Sequence, residues 1–295
     1  MPRKPGPGDA RRVSFGLRPR RHYERDSDLV NDAIRDTRVE WAPPWVEILL
    51  DRPDKMNALR EQTAGEIIEV LAEAERRDEV AAVLIGSSTR PFCTGIDAAE
   101  FALADGAKFD FYRRRKRSWK IPLMMKSFAE FTKPVICAIE GFAMGGGFEL
   151  ALAADMIVAG AEAQFSFPEG RLGMMPGGGG TQTLTRIVGK PIAKELIWTG
   201  RRVGADESVA LRFANARVPM GQAMAKAREY AEAISKQAPL AIMMSKAAIE
   251  RGADMSLANG WSYEAETSFM LYFSEDRDEG LAAFREKRRP EFRGR

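Results

Sequence analysis

One histidine and two cysteines in 295 residues remove whole classes of chemistry. His22 stands among Arg20, Arg21 and Arg25, in a stretch with little apolar periodicity. A Ser-His-Asp triad and a multi-histidine metal site are thereby excluded, so no metal is expected and proton transfer falls to carboxylates, Lys, Tyr or Cys. Cys93 and Cys137 are too few for a disulfide framework or a four-ligand zinc site, and they fit a reducing compartment, the cytoplasm. The sequence lacks any uncharged apolar run near the ~18 residues that a membrane helix needs, so no membrane span is predicted. A dominant charge is missing as well: the formal net charge of +3 commits the chain to neither nucleic acid nor a membrane surface.

What is present suits a packed globular protein, since 45% of the residues are hydrophobic. Residues 1–40 form a basic leader rich in Pro, Gly and Arg, with little to bury. It reads as a mobile tail or as an arm around a neighbouring subunit. An import signal is opposed by its early prolines, its few serines and the acids from Glu24 onward. From Trp45 the chain becomes regular. VEILL is a strand, DRPDKMNAL a turn that places Asn57 as helix cap, EQTAGEIIEVLAEAERR a helix and AAVLIG a second, buried strand. That order is a crossover unit and implies a largely parallel sheet. VICAIEG, MIVAG and AQFSF add further strands, and after Gly189 the pattern turns helical.

The chain is organised around Gly141 to Arg186. Gly145, Gly146 and Gly147 open an apolar segment that holds one acid, Glu149, between Phe148 and Leu150. Burial raises the pKa of such a carboxylate. A second acid, Glu169, follows Pro168 in a turn, with more glycines at Gly177 to Gly180. Glycines at a helix start leave bare N–H donors within reach of a substrate oxygen, and a complete oxyanion hole needs a second donor. FCTGID supplies it, because Gly95 lies in a loop after a strand and Ile96 presents its N–H there. Asp97 most simply braces that loop, and Cys93, with no histidine to activate it, is a small buried filler. Arg113 to Arg117 form the strongest charge cluster, flanked by aromatics. It reads as a solvated helix face, an anionic-ligand contact or an RNA contact.

Four motifs, FCTGID, EGFAMGGGFELALAAD, FPEGRLGMMPGGGGTQ and the terminal SEDRDEGLAAFREKRRPEFRGR, stand in an order that resembles the enoyl-CoA hydratase/isomerase (crotonase) superfamily from Trp45 to Arg295. The resemblance implies an α/β fold: a spiral of repeated ββα units over residues 41–220, then a helical trimerisation region over 221–295. It implies an acyl-CoA thioester substrate, no cofactor beyond that CoA, a homotrimer or dimer of trimers, and backbone donors at Ile96 and Gly146. Glu149 would be the base and Glu169 the proton donor of a hydratase. Lys55, Ala58, Asp97 and Lys287 would contact CoA, and Phe101, Tyr112, Trp119, Pro168 and Gly177 would line the acyl pocket. The expected reaction is hydration of a 2-enoyl-CoA. Isomerisation, carnitinyl-CoA dehydration, hydroxycinnamoyl-CoA hydration and cleavage, or RNA binding by a crotonase homologue are the alternatives.

Overall fold

Strands that are apolar at nearly every position, as Ala82–Ser87 and Val135–Ile139 are, belong in a sheet covered on both faces. The computed structural model, which describes residues 35–97, 99 and 120–295, places them at the centre of a six-stranded sheet. Its order is β1 (Thr37–Ala42), β2 (Trp45–Leu50), β3 (Ala82–Ser87), β4 (Val135–Ile139), β6 (Met156–Gly160) and β9 (Ala216–Val218). Only the β1–β2 pair runs antiparallel. A smaller sheet joins β5 (Phe142–Met144), β7 (Gln164–Ser166) and β8 (Val203–Gly204). The leader, the basic run Arg113 to Arg117, and Phe101, Tyr112 and Trp119 lie outside the described residues.

Alternate side chains of the central strands serve two layers. Val83, Ile85, Cys137 and Ile139 meet Ile67, Val70, Leu71 and Ala74 of α1 (Glu61–Arg76), whose spacing makes one apolar stripe. Each such Ile, Val or Leu stabilises the fold by about 1.5–3 kcal/mol on burial. Leu84, Ile136, Ala138 and Val158 face the other way, onto Ala223, Ala227 and Ala231 of α7 (Ala223–Ser235). Alanines four apart let this helix lie close to the sheet. Between these helices in the chain come α2 (Lys120–Glu130), α3 (Gly146–Ala153), α4 (Gly180–Val188), α5 (Lys190–Thr199) and α6 (Ala205–Ala210).

Three helices follow: α8 (Pro239–Gly252), α9 (Leu257–Leu271) and α10 (Glu275–Glu286). α8 and α9 pack on each other, yet α8 buries none of its residues and α9 buries only Thr267. Trp261, Phe269, Phe273 and Phe284 stand exposed, Phe284 to 84%. One tie to the sheet is ionic, from Lys246 Nζ to Asp155 at 2.7 Å.

Two local expectations need correction. Asn57 is not the cap of α1, which starts at Glu61 after Arg60. Its φ of 56° puts it in a left-handed turn, and its buried side chain accepts from Arg52 N at 2.8 Å and donates to Pro91 O at 2.9 Å. Asparagine tolerates that backbone better than most residues. The second difference is β1, which begins within the mixed-charge stretch read as leader.

Candidate active site

The donor wall is built by two short parallel bridges. Cys93 N donates to Phe142 O and Cys93 O accepts from Met144 N, both at 2.9 Å, so the loop after β3 lies against β5. Two residues on, Leu59 N donates to Gly95 O and Leu59 O accepts from Asp97 N, both at 2.8 Å. A parallel bridge of this form uses the residues flanking Ile96 and turns the N–H of Ile96 to the opposite side. That N–H makes no hydrogen bond among the described residues, and neither does that of Gly146 at the start of α3, where Gly145 O accepts from Phe148 N and Glu149 N. The two free donors are neighbours: a Cβ on Gly146 would stand 3.5 Å from Ile96 N and 2.8 Å from its Cγ1. Glycine is therefore required at 146 by close approach. At 147 the demand is stronger, since a Cβ would meet Cys93 O at 2.5 Å.

The acids line the same cavity as these donors. Glu149 is buried in the first turn of α3, and its Oε1 accepts from Gly178 N at 2.7 Å and Gly180 N at 2.9 Å. Burial pushes its carboxyl above the usual range, while the two amide donors oppose that rise and favour the carboxylate. Glu169 opens a 3₁₀ turn, Glu169–Leu172, after Pro168. Its Oε2 is buried with no hydrogen-bond partner among the described residues. Burial, with the nearby charge of Glu149 in the same direction, raises this carboxyl to about 7. Phe148, beside Glu149 in the chain, stacks on Phe167 at 4.7 Å and touches Phe165 and Phe213, which fixes the helix that presents the acid.

One cavity of about 170 Å³ brings Ile96, Gly146, Glu149, Pro168, Glu169 and Gly177 together. Ile121, Pro122, Leu172, Met174 and Met175 complete its largely apolar lining. The remaining predicted residues stand elsewhere. Lys55 is exposed at the end of a 3₁₀ turn, Pro53–Lys55. Ala58 N donates to Lys55 O at 3.0 Å, and Ala58 O accepts from Arg52 Nη1. Asp97 is held by Arg52 Nη2 at 2.9 Å and accepts from Ala99 N at 3.1 Å, the geometry of a brace. The Arg52 hydrogen bond, helped by that of Ala99, keeps its carboxyl below the usual carboxylate range. Lys287 is exposed at the C-terminal end of α10, and it does not line the cavity. Burial pushes the Cys93 thiol up to about 12, which leaves it protonated and inert. Sequence reasoning missed Arg52 and the amides of Gly178 and Gly180. The Arg-Pro pair and the glycine run were visible, but their partners are distant in the chain.

Two unspent backbone donors and a pair of acids in one cavity suit substrates in which negative charge grows on an oxygen while a proton moves. Set on repeated strand and helix units around a mainly parallel sheet, that site defines an acid–base enzyme of the crotonase type. The chain belongs to the enoyl-CoA hydratase/isomerase family, whose profile matches residues 45–295. It is 39% identical over 254 residues to the human enoyl-CoA hydratase domain-containing protein 2, mitochondrial, with 84% of this chain and 85% of that one covered. It is 35% identical over 248 residues to the short-chain-enoyl-CoA hydratase of Clostridium acetobutylicum, covering 83% and 92%. The crystal structure of enoyl-CoA hydratase from Bacillus anthracis superposes with a TM-score of 0.82 at 33% identity, covering 88% and 100%. The chain is thus an enoyl-CoA hydratase-like enzyme. No helix among the described residues is long and apolar enough to cross a membrane.

Proposed function

We propose that the protein adds water across the 2,3 double bond of a 2-enoyl-CoA, with CoA carried by the substrate and no further cofactor. The observation that carries this reading is the asymmetry of the acids. Glu149 Oε1 is already stabilised by two amides, whereas Glu169 Oε2 has none and holds a proton near neutral pH. Glu149 takes a proton from water, and the resulting hydroxide adds to the β-carbon. The electrons of the double bond pass to the thioester oxygen, where the Ile96 and Gly146 N–H groups stabilise the enolate. Glu169 then delivers its proton to the α-carbon. Removing one donor of this kind costs about 3 kcal/mol of transition-state stabilisation.

Loss of the conjugated-thioester absorbance tests the reading with short and long enoyl-CoA, crotonobetainyl-CoA and feruloyl-CoA as substrates. Turnover of one, abolished in Glu149→Gln, supports hydration. Binding without turnover redirects the assignment to double-bond isomerisation through the same enolate. The compartment we propose is the cytoplasm, on the two buried free thiols; the human relative's name places that protein in mitochondria. The exposed aromatic face of α9 and α10 supports a homotrimer or dimer of trimers, with residues 221–295 as the assembly region.

A further inference from the structure

We propose that Arg52 is a positioning residue for the oxyanion donor at Ile96, an inference that rests on the hydration reading above. Its side chain is only 12% exposed and spans two parts of the fold. Nη2 binds Asp97, the residue after Ile96, at 2.9 Å, and Nη1 donates to Ala58 O, the residue before Leu59. Leu59 in turn holds Gly95 and Asp97, one on each side of Ile96. Arg52 therefore closes a ring around the peptide whose N–H faces the cavity. Ile96 has no polar side-chain atom to hold that peptide itself.

The guanidinium is anchored from behind. Its Nε lies 3.7 Å from Asp36, a buried carboxylate that Thr63 Oγ1 reaches at 2.7 Å and Arg60 Nε at 2.7 Å. Burial works against the charge of Asp36, but the Arg60 and Thr63 hydrogen bonds prevail and hold its carboxyl below the usual range. Asp36, Arg52 and Asp97 thus form a charge-alternating chain from the start of β1 to the loop. A hydrogen bond to an oxyanion weakens steeply with angle, and a misplacement of ~1 Å costs about a hundredfold in rate. Lysine keeps the charge but lacks the planar fork that reaches Asp97 and Ala58 O together.

The test compares wild type, Arg52→Lys and Asp97→Asn on a 2-enoyl-CoA and on the N-acetylcysteamine thioester of the same acyl group, which lacks the nucleotide. Thermal unfolding is followed in parallel. In Arg52→Lys we expect kcat/KM for the truncated thioester to fall about ten- to a hundredfold. With the CoA thioester the loss should sit in kcat rather than KM. Asp97→Asn, which keeps the loop but weakens the ion pair, should show a smaller loss of the same kind, and it carries the test if Arg52→Lys does not fold. A rise in KM for the CoA thioester alone, with the truncated thioester unaffected, would make Arg52 an anchor for CoA and overturn the proposal. A lower Tm with both kinetic constants unchanged would reduce it to a structural ion pair and overturn it equally. If wild type hydrates neither thioester, the hydration reading fails first and takes the proposal with it.

Discussion

The region around the cavity and the C-terminal helices spend their side chains in opposite ways. Around the cavity, Gly146 and Gly147 leave no room for a Cβ, Glu149 is buried and Glu169 half-buried, and backbone donors are left unspent. On α8 to α10 the buried residues are few and the large aromatics face outward. A site with buried charge and idle donors is costly to stability and useful for chemistry; an exposed apolar face is the reverse, since its value is realised on association. Changes in the first region should therefore move rate more than stability, and changes in the second should move assembly and stability more than chemistry.

The largest effect expected is on rate. Glu149→Gln and Glu169→Gln should each lower kcat for hydration by about 10³-fold while Tm holds or rises, because a carboxyl shielded from water is removed. A fall in Tm equal to that of a core mutant would break the contrast. Next comes Gly147→Ala, whose Cβ has only backbone and the Cys93 side chain to meet. It should destabilise by about 1–3 kcal/mol and lose hydration together, read by denaturant unfolding and turnover. For the proposed assembly, replacing Trp261 and Phe273 by Ser should shift sedimentation toward the single chain.

A pH series sharpens the contrast on the side of the site. Hydration needs one proton on the acid pair, so kcat/KM should fall about tenfold per unit as pH rises beyond about 7, where Glu169 loses its proton. The same group bears on stability. Its folded pKa lies above the ordinary carboxylate value, so the folded state binds more protons than the unfolded chain between that value and about 7. Stability should decline with rising pH across this window and flatten in Glu169→Gln. The smallest effect belongs to the other region. Ser256 Oγ caps α9 through Asn259 N at 3.3 Å, and Ser256→Ala should cost about 1 kcal/mol with kcat unchanged.

Much of this was readable before any coordinates. VEILL, a helix and the buried AAVLIG in that order form a crossover unit, and that order gave the parallel strands. Glu149, Glu169, Ile96 and Gly146 stood out by their glycine-rich bends and then by the family pattern, and they line one cavity. β1 was not legible, since an edge strand with Arg38 and Glu40 has the composition of the charged stretch before it. Asn57 was misread because its side chain answers to Pro91, which lies 34 residues away. Arg52 escaped for a related reason: its partners Asp36 and Asp97 lie far on either side in the chain.

The bridge between Cys93 and Ala143 has one more consequence, for which parts of the cavity move together. Because that bridge joins the loop of one donor to the strand that feeds the other, a shift of either donor is passed to its neighbour. Leu172, Met174 and Met175, by contrast, line the same cavity and are exposed. Substitution at any of the three would reshape the cavity without touching that bridge. The molecule thereby couples its two free donors through one bridge and leaves three exposed apolar side chains of the same cavity outside that coupling.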